Sequence, residues 1–166
     1  MNSIFLLLGS NLGDSVAYLE KAREHIASSI GRLVEKSSLY QSPPWGFDHK
    51  NDFMNQVLIV ESELSPTQLL SQVLNIETIL GRQRFYSSSY EARVIDIDIL
   101  FFNDESITTS NLVIPHPRLH ERRFTLVPLH ELYPDFIHPQ LKVTVSELLN
   151  QCSDRSVVRK YELSIH

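Results

Sequence analysis

At 166 residues, with 42% apolar and 21% charged side chains, the chain has the size and composition of one compact domain with a substantial core, and a second independent domain is not expected. Twenty acidic against fifteen basic residues leave a net charge of −5, without the basic excess on which phosphate-backbone binding relies, so no nucleic-acid partner is expected. The lone cysteine, Cys152, excludes an intrachain disulfide, and the apolar runs Ile4–Leu8 and Ile97–Phe102 are far shorter than the roughly 20 residues of a membrane helix. No basic segment precedes the first run to make it a signal peptide, so a cytoplasmic protein without membrane contact is expected.

Ile4–Leu8, a continuous apolar run closed by Gly9, predicts a strand in the middle of a sheet. After the turn Gly9-Ser10-Asn11-Leu12-Gly13, apolar Val16, Leu19, Ile26 and Ile30 recur at helical spacing, with Asp14 or Ser15 to cap the start and Gly31 to end it. Leu33–Gln41 and Phe53–Glu61 read as strands that pair antiparallel, separated by Pro43-Pro44-Trp45-Gly46. Ser65-Pro66-Thr67-Gln68 is a capping box with proline at the first helical position, and its helix runs through Leu69, Val73, Ile76 and Leu80 to Gly81. A polar, serine-rich stretch, Gln83–Glu91, leads to a strand over Val94–Phe102. This β-α-β-β-α-β order predicts an α+β fold, ferredoxin-like, with a four-stranded, mainly antiparallel sheet and two helices on one face. A C-terminal extension follows, with a hairpin near Asn103-Asp104, a helix near Ser146–Gln151 and a strand near Val157–Tyr161.

The chemistry concentrates in the last core strand. Residues two apart on a strand share a face, so Asp96 and Asp98 point together, about 7 Å apart, while Ile95, Ile97 and Ile99 pack on the other side. A solvated face is the ordinary meaning of two such aspartates. The apolar run Ile97–Phe102 argues instead for a central strand, where two carboxylates would repel and lose hydration unless a divalent cation joined them. Mg²⁺ suits this donor set, because it takes one or two carboxylates plus substrate phosphates and keeps several waters. Glu77 falls inside the apolar arc of its helix, which leaves two readings open: a packed stem with a solvated head, or a partner of the metal site.

Arg82, Arg84, Arg93, Arg118, Arg122 and Arg123 cluster around the same region of an acidic chain, a pattern suited to anionic substrates, since guanidinium forks bind phosphate oxygens bidentately. The Gln83–Glu91 segment has the polar composition of a lid that would carry Arg84 and Arg93 onto phosphates. The glycine-rich turn Gly9–Gly13 lacks the lysine-serine/threonine pair of a Walker motif and reads as structural. His116 and His120 are four apart, but Pro117 and the missing glutamate argue against a zincin-type site, and Cys152 reads as a small buried residue.

Taken together the motifs resemble those of the 6-hydroxymethyl-7,8-dihydropterin pyrophosphokinases of folate biosynthesis, from Leu8 to about Pro134. The pieces are Leu8-Gly9-Ser10-Asn11-Leu12-Gly13, Ser42-Pro43-Pro44-Trp45-Gly46, Asp52-Phe53-Met54-Asn55-Gln56-Val57, Ile76-Glu77 with Gly81-Arg82, Arg93-Val94-Ile95-Asp96-Ile97-Asp98, and Ile114-Pro115-His116-Pro117-Arg118-Leu119 with Arg122 and Phe124. The resemblance implies a ferredoxin-like fold and transfer of diphosphate from ATP to a pterin alcohol, with two Mg²⁺ ions on Asp96 and Asp98. It further implies Arg82 and Arg93 as catalytic arginines, with ATP contacts from Arg84, Tyr90, His116 and Arg122. Ser42, Pro43, Trp45, Phe53, Asn55 and Phe124 would bind the pterin; without the family, both phenylalanines read as core. Association with other folate-pathway enzymes belongs to the same set of expectations. One departure stands in the loop, where Tyr90-Glu91-Ala92 occupies the place of the family's usual tryptophan-glycine-proline, with one residue more. Two other classes use parts of this pattern: a nucleotidyl- or phosphohydrolase with the same aspartates, and an RNA-binding module on a ferredoxin-like sheet.

Overall fold

The computed structural model describes residues 1–43, 52–81 and 94–162. Strand β1 (Asn2–Ser10) is followed by helix α1 (Ser15–Ser29), strands β2 (Arg32–Lys36), β3 (Tyr40–Ser42) and β4 (Phe53–Ser62), helix α2 (Pro66–Ile79) and strand β5 (Asp96–Phe102). The C-terminal part adds the short strands β6 (Ile107–Thr108) and β7 (Val113–Ile114), a single 3-10 turn (Leu119–Glu121), helices α3 (Arg123–Leu132) and α4 (Val145–Gln151), and strand β8 (Arg159–Lys160). No helix among the described residues is long and apolar enough to cross a membrane.

Among the described residues six strands form the main sheet, in the order β5-β1-β4-β3-β8, with β2 also on β4, and every pairing is antiparallel. This corrects the four-stranded expectation in two ways. The segment Leu33–Gln41 is split, so β2 and β3 pair with opposite ends of the ten-residue β4, and β8 adds a strand beyond β3. The split has a visible cause, because side chains take over where the ladder breaks. Ser37 pairs with Val57 through its amide (2.9 Å) and accepts the Val57 amide on its hydroxyl (3.0 Å). Gln56, steadied by Arg23, donates to the Ser37 carbonyl at 2.7 Å. From the other face the Glu131 carboxylate accepts the Ser38 amide and, at 3.0 Å, the Tyr40 hydroxyl. Burial and this carboxylate push the Tyr40 hydroxyl pKa up to about 12, keeping it a donor.

β1 lies mid-sheet, as its unbroken apolar run predicts, and both of its faces are covered. Ile4, Leu6 and Leu8 pack with Leu19, Ala22 and Ile26 of α1 and Leu69, Val73 and Ile76 of α2. Phe5 and Leu7 pack on the opposite side with Phe124, Leu126 and Leu129 of α3 and Val145 and Leu148 of α4. The two helices read from the sequence therefore share one face, while α3 and α4 close the other into a third layer. α3 escaped the sequence reading because Pro128 interrupts it. Proline lacks the amide that would bond the preceding turn and usually ends a helix, yet here burial of Phe124, Leu126 and Leu129 holds the helix together. The predicted helix caps occur as read, with Asp14 accepting from Ala17 and Ser65 exchanging hydrogen bonds with Gln68. The expected hairpin near Asn103-Asp104 is displaced, since β5 ends there and the hairpin proper is β6 with β7.

Among the described residues β5 is an edge strand, which corrects the expectation that the aspartates sit mid-sheet. A bulge opposite Phe5 and Leu6 inserts Leu100, so Asp96, Asp98, Leu100 and then Phe101 all turn toward the α3 layer.

His138 lies buried beneath Phe101, its Nδ1 accepting the amides of Gln140 (3.1 Å) and Leu141 (3.0 Å). Burial, with a smaller contribution from His120, lowers its pKa from the usual 6.5 to about 4. Between those values the unfolded chain binds more protons than the folded one, so stability from this group is complete above about pH 6.5 and drains away toward pH 4. Unfolding free energies from urea titrations across that window should fall by an amount on the order of 1–3 kcal/mol. The fall should be shallower in His138→Asn, whose side-chain oxygen accepts the same two amides; an unchanged slope would remove His138 from this account.

Candidate active site

The site forms where β5, β1 and β4 run side by side. Gly9 of β1 pairs with Asp96 on one flank and with Asn55 on the other. Residues directly opposite share a face, so a carboxylate and a carboxamide stand on the α3 side of one row, with a glycine between them. At about 4.8 Å per strand spacing, their backbones lie roughly 10 Å apart. A Cβ at Gly9 would approach Asn55 Oδ1 to 3.2 Å and the Phe53 ring to 3.8 Å, so the missing side chain keeps this floor open. In the next row Asp98 pairs with Leu7, which pairs with Val57, closing the floor with apolar core.

Asn55 is buried and donates to the Ser42 hydroxyl at 2.7 Å, which anchors its side chain. Phe53 is buried beside Gly9, and Pro43 is exposed at the end of β3. Phe124 is buried in the first turn of α3, with the Arg122 guanidinium 5.6 Å from its ring centre, within cation-π range.

Around Asp98 the geometry is electrostatic. Arg122 Nη1 stands 3.8 Å and His116 Nε2 3.9 Å from Asp98 Oδ2, both beyond hydrogen-bond reach. His116 Nδ1 accepts the Arg118 amide at 3.2 Å, which assigns the ring proton to Nε2, facing the carboxylate. Burial first, then the neighbouring Arg122, lower the His116 pKa to about 4 against the pull of Asp96, so the ring is a neutral donor at pH 7. The Arg122 side chain is only 9% exposed, so its charge acts in a less screened setting than a surface arginine's.

Glu77 does not send its head to water, which overturns one of the two readings left open by its helical position. It is 1% exposed, and its Oε2 accepts the Ile97 amide at 2.8 Å. Ile97 lies between the two aspartates on a sheet edge, so α2 supplies the acceptor that a neighbouring strand would otherwise provide. Farther along the same edge, the His116 amide donates to the Leu100 carbonyl at 3.1 Å. Between α2 and the 109–117 segment opens a cleft of about 450 Å³, walled by Leu70, Val73, Leu74 and Leu112 and reaching Asp96 and Asp98.

The structure thus gathers Asp96, Asp98, His116, Arg122 and Phe124 at one end of the floor, and Ser42, Phe53 and Asn55 at the other. Trp45, Arg82, Arg84, Tyr90 and Arg93 lie outside the described residues. Sequence reasoning missed the role of Gly9, taken for a turn residue, and the contribution of the 109–113 segment. The strand pairing that reveals Gly9 links residues about 45 and 90 positions away, with no local signal. Among the described residues no three His, Cys, Asp or Glu side chains converge as a complete metal cage. Two hard carboxylates on one strand face fit an ion that completes its shell with water and substrate oxygens, which is the habit of Mg²⁺.

Fold and site define an α+β protein with two aspartates beside an apolar-walled cleft at the edge of its sheet and one mostly buried arginine facing them. The chain belongs to the 7,8-dihydro-6-hydroxymethylpterin-pyrophosphokinase family, whose model matches residues 5–134. It is 42% identical over 138 residues to a Methylorubrum extorquens protein named 2-amino-4-hydroxy-6-hydroxymethyldihydropteridine pyrophosphokinase, covering 82% of this chain and 86% of that one. A Haemophilus influenzae protein of the same name is 36% identical over 160 residues, covering 96% and 98%. Among solved structures, a Plasmodium falciparum HPPK-DHPS variant shares the fold with a TM-score of 0.76 at 18% identity, over 90% of this chain and 45% of the other. The chain thus spans less than half the length of that larger protein.

The Ile97 amide gives a direct test of the edge. Glu77→Ala should destabilise the ligand-free protein in urea by about 1–3 kcal/mol, the cost of a buried donor left unsatisfied. Glu77→Gln, which keeps an acceptor oxygen, should lose clearly less; equal losses would show that the hydrogen bond is not what matters.

Proposed function

We propose that the chain, acting as one pyrophosphokinase domain, transfers diphosphate from ATP to the hydroxymethyl group of 6-hydroxymethyl-7,8-dihydropterin, releasing AMP. The observation that carries this reading is the row Asp96–Gly9–Asn55, a charged oxygen donor and an oriented carboxamide facing one open floor. A flat ring lying over Gly9 would meet Asn55, whose donor and acceptor suit an amide-and-amine ring edge, and would stack on Phe53 and Phe124. Its hydroxymethyl arm would then extend toward Asp96. Ser42 serves by anchoring the Asn55 side chain, with Pro43 and Trp45 as further pterin contacts by resemblance.

In the reaction the hydroxymethyl oxygen attacks the β-phosphorus, the bond from that phosphorus to the bridging oxygen of AMP breaks, and the hydroxyl proton is lost. Asp96 and Asp98 are the residues that would hold Mg²⁺, two ions by family resemblance, supplying charge that neutralises the triphosphate and favours loss of the hydroxyl proton. The chain's own work is then alignment and electrostatic stabilisation. Arg122 presents a fixed guanidinium to phosphate oxygens. The neutral His116 offers Nε2–H without adding charge, and Arg84 and Tyr90 would join them on ATP. Arg82 and Arg93 are read as the catalytic arginines, acting on charge that develops during transfer. The apolar cleft beside Asp98 suits the nucleoside end of ATP, which then enters from the sheet edge while the pterin lies over the sheet. We read the β5-β1-β4-β3 order as a ferredoxin-like core enlarged by C-terminal additions. A cytoplasmic location and contact with a second folate-pathway enzyme belong to the same reading.

Incubation with Mg²⁺, ATP and the pterin alcohol, followed by analysis of the nucleotide, tests the function. AMP should appear only when pterin is present, whereas ADP or pterin-independent turnover would mean a different enzyme. Asp96→Ala and Asp98→Ala should each cut turnover by roughly 10²-fold or more, the scale of losing one electrostatic stabiliser. Wild-type rates in either variant would remove the aspartates from the mechanism.

A further inference from the structure

α3 carries Arg122 and Phe124 at its entrance but cannot cap itself. The N-cap residue is Arg122, which makes no side-chain capping bond, and a guanidinium has no acceptor to offer. The cap comes from a residue far along the chain. Asp154 Oδ2 accepts the Arg123 amide at 3.0 Å, while Oδ1 accepts the amide and hydroxyl of Ser156 at 2.9 and 2.5 Å. The turn closed by Ser156 holds the carboxylate in place, so the cap is rigid before it meets the helix. Burial opposes its ionisation, yet the hydrogen bonds from Ser156 and Arg123 and the charge of Arg123 keep the Asp154 pKa below its usual value. A negative group at a helix start is also favoured by the helix dipole.

The same segment reaches the other wall of the site. After Ser156 the chain runs into β8, where Lys160 pairs with Tyr40 and Arg159 with Gln41, and the Tyr161 amide donates to Leu39 at 2.7 Å. β3 carries Ser42, the hydrogen-bond partner of Asn55. Residues 152–161 therefore tie the helix that presents Arg122 to the strand that presents Ser42, and they lie beyond the stretch matched by the family model.

We propose that Asp154 is a positioning residue for the phosphate-handling side of the site, aiming Arg122 and Phe124 by capping α3 from the C-terminal segment. This rests on the function proposed above. Without the cap the first turn of α3 frays and the Arg122 guanidinium loses its fixed place 3.8 Å from Asp98.

The test compares two cap losses in the full-length protein. Asp154→Ala removes the cap of α3, and Thr144→Ala removes that of α4, where the Thr144 hydroxyl accepts the Glu147 amide at 3.1 Å away from the site. Both should lower the melting temperature by similar small amounts. Only Asp154→Ala should speed hydrogen exchange at the Arg123, Thr125 and Leu126 amides, by roughly five- to tenfold. It should also lower kcat/KM for ATP by roughly tenfold, with Asp154→Asn, which retains an acceptor oxygen, recovering most of the loss. If Asp154→Ala does not fold, the same comparison is made with Asp154→Asn and Ser156→Ala, for which smaller changes in the same two readouts are expected. A variant that melts early but keeps wild-type kinetics and exchange would overturn the proposal. Should the wild-type protein form no AMP with pterin, the functional reading fails instead, while the exchange experiment still decides whether Asp154 orders α3.

Discussion

Two carboxylates on one face of a strand packed between apolar layers impose the constraint around which this molecule is organised. Asp96 is nearly buried, and Asp98 sees a mostly buried guanidinium and a neutral imidazole at distances too long for hydrogen bonds. Acidic oxygens gathered in this way have the chemistry that suits a hard divalent cation. The edge position of β5 serves that end, since a central strand would have a neighbour where the cleft opens. Its cost is an unpaired ladder amide at Ile97, and Glu77 meets it from the helix alongside.

The three layers divide the work between them. α1 and α2 on one side form the larger apolar core, and α2 adds Glu77 and the inner wall of the cleft. α3 and α4 on the other side cover the sheet and bring the cationic group to its acidic floor. Since the aspartates face the α3 layer while Ile97 and Ile99 face α2, one strand joins the apolar support of one core to the chemistry of the other.

Much of this was legible from residues alone. The period of two gave the shared face of Asp96 and Asp98, Ser65-Pro66-Thr67-Gln68 gave the start of α2, and the run Ile4–Leu8 gave the middle strand. The readings that failed depended on partners distant in sequence. Leu33–Gln41 looked like one strand because nothing local reveals that Glu131, some ninety residues on, would take the Ser38 amide. α3 was hidden by Pro128, whose usual effect is overridden by the burial around it. The apolar run that suggested a central place for β5 is satisfied by helices above and below, a burial that an edge strand can also have. Gly9 was taken for a turn because a floor is a property of three strands together.

The order in which the ribosome delivers these pieces differs from the order in which they fit. β1 precedes both of its partners in the chain, β4 by about forty residues and β5 by about ninety. Without β5, the strand holding the apolar run Ile4–Leu8 would show one edge of bare amides and carbonyls, the kind of surface that invites pairing with foreign chains. Gly9, whose missing side chain leaves the floor of the finished sheet open, sits near the end of that strand. Both edges of β1 are therefore covered only once segments from across the chain have been made, a consequence of its central place in the sheet.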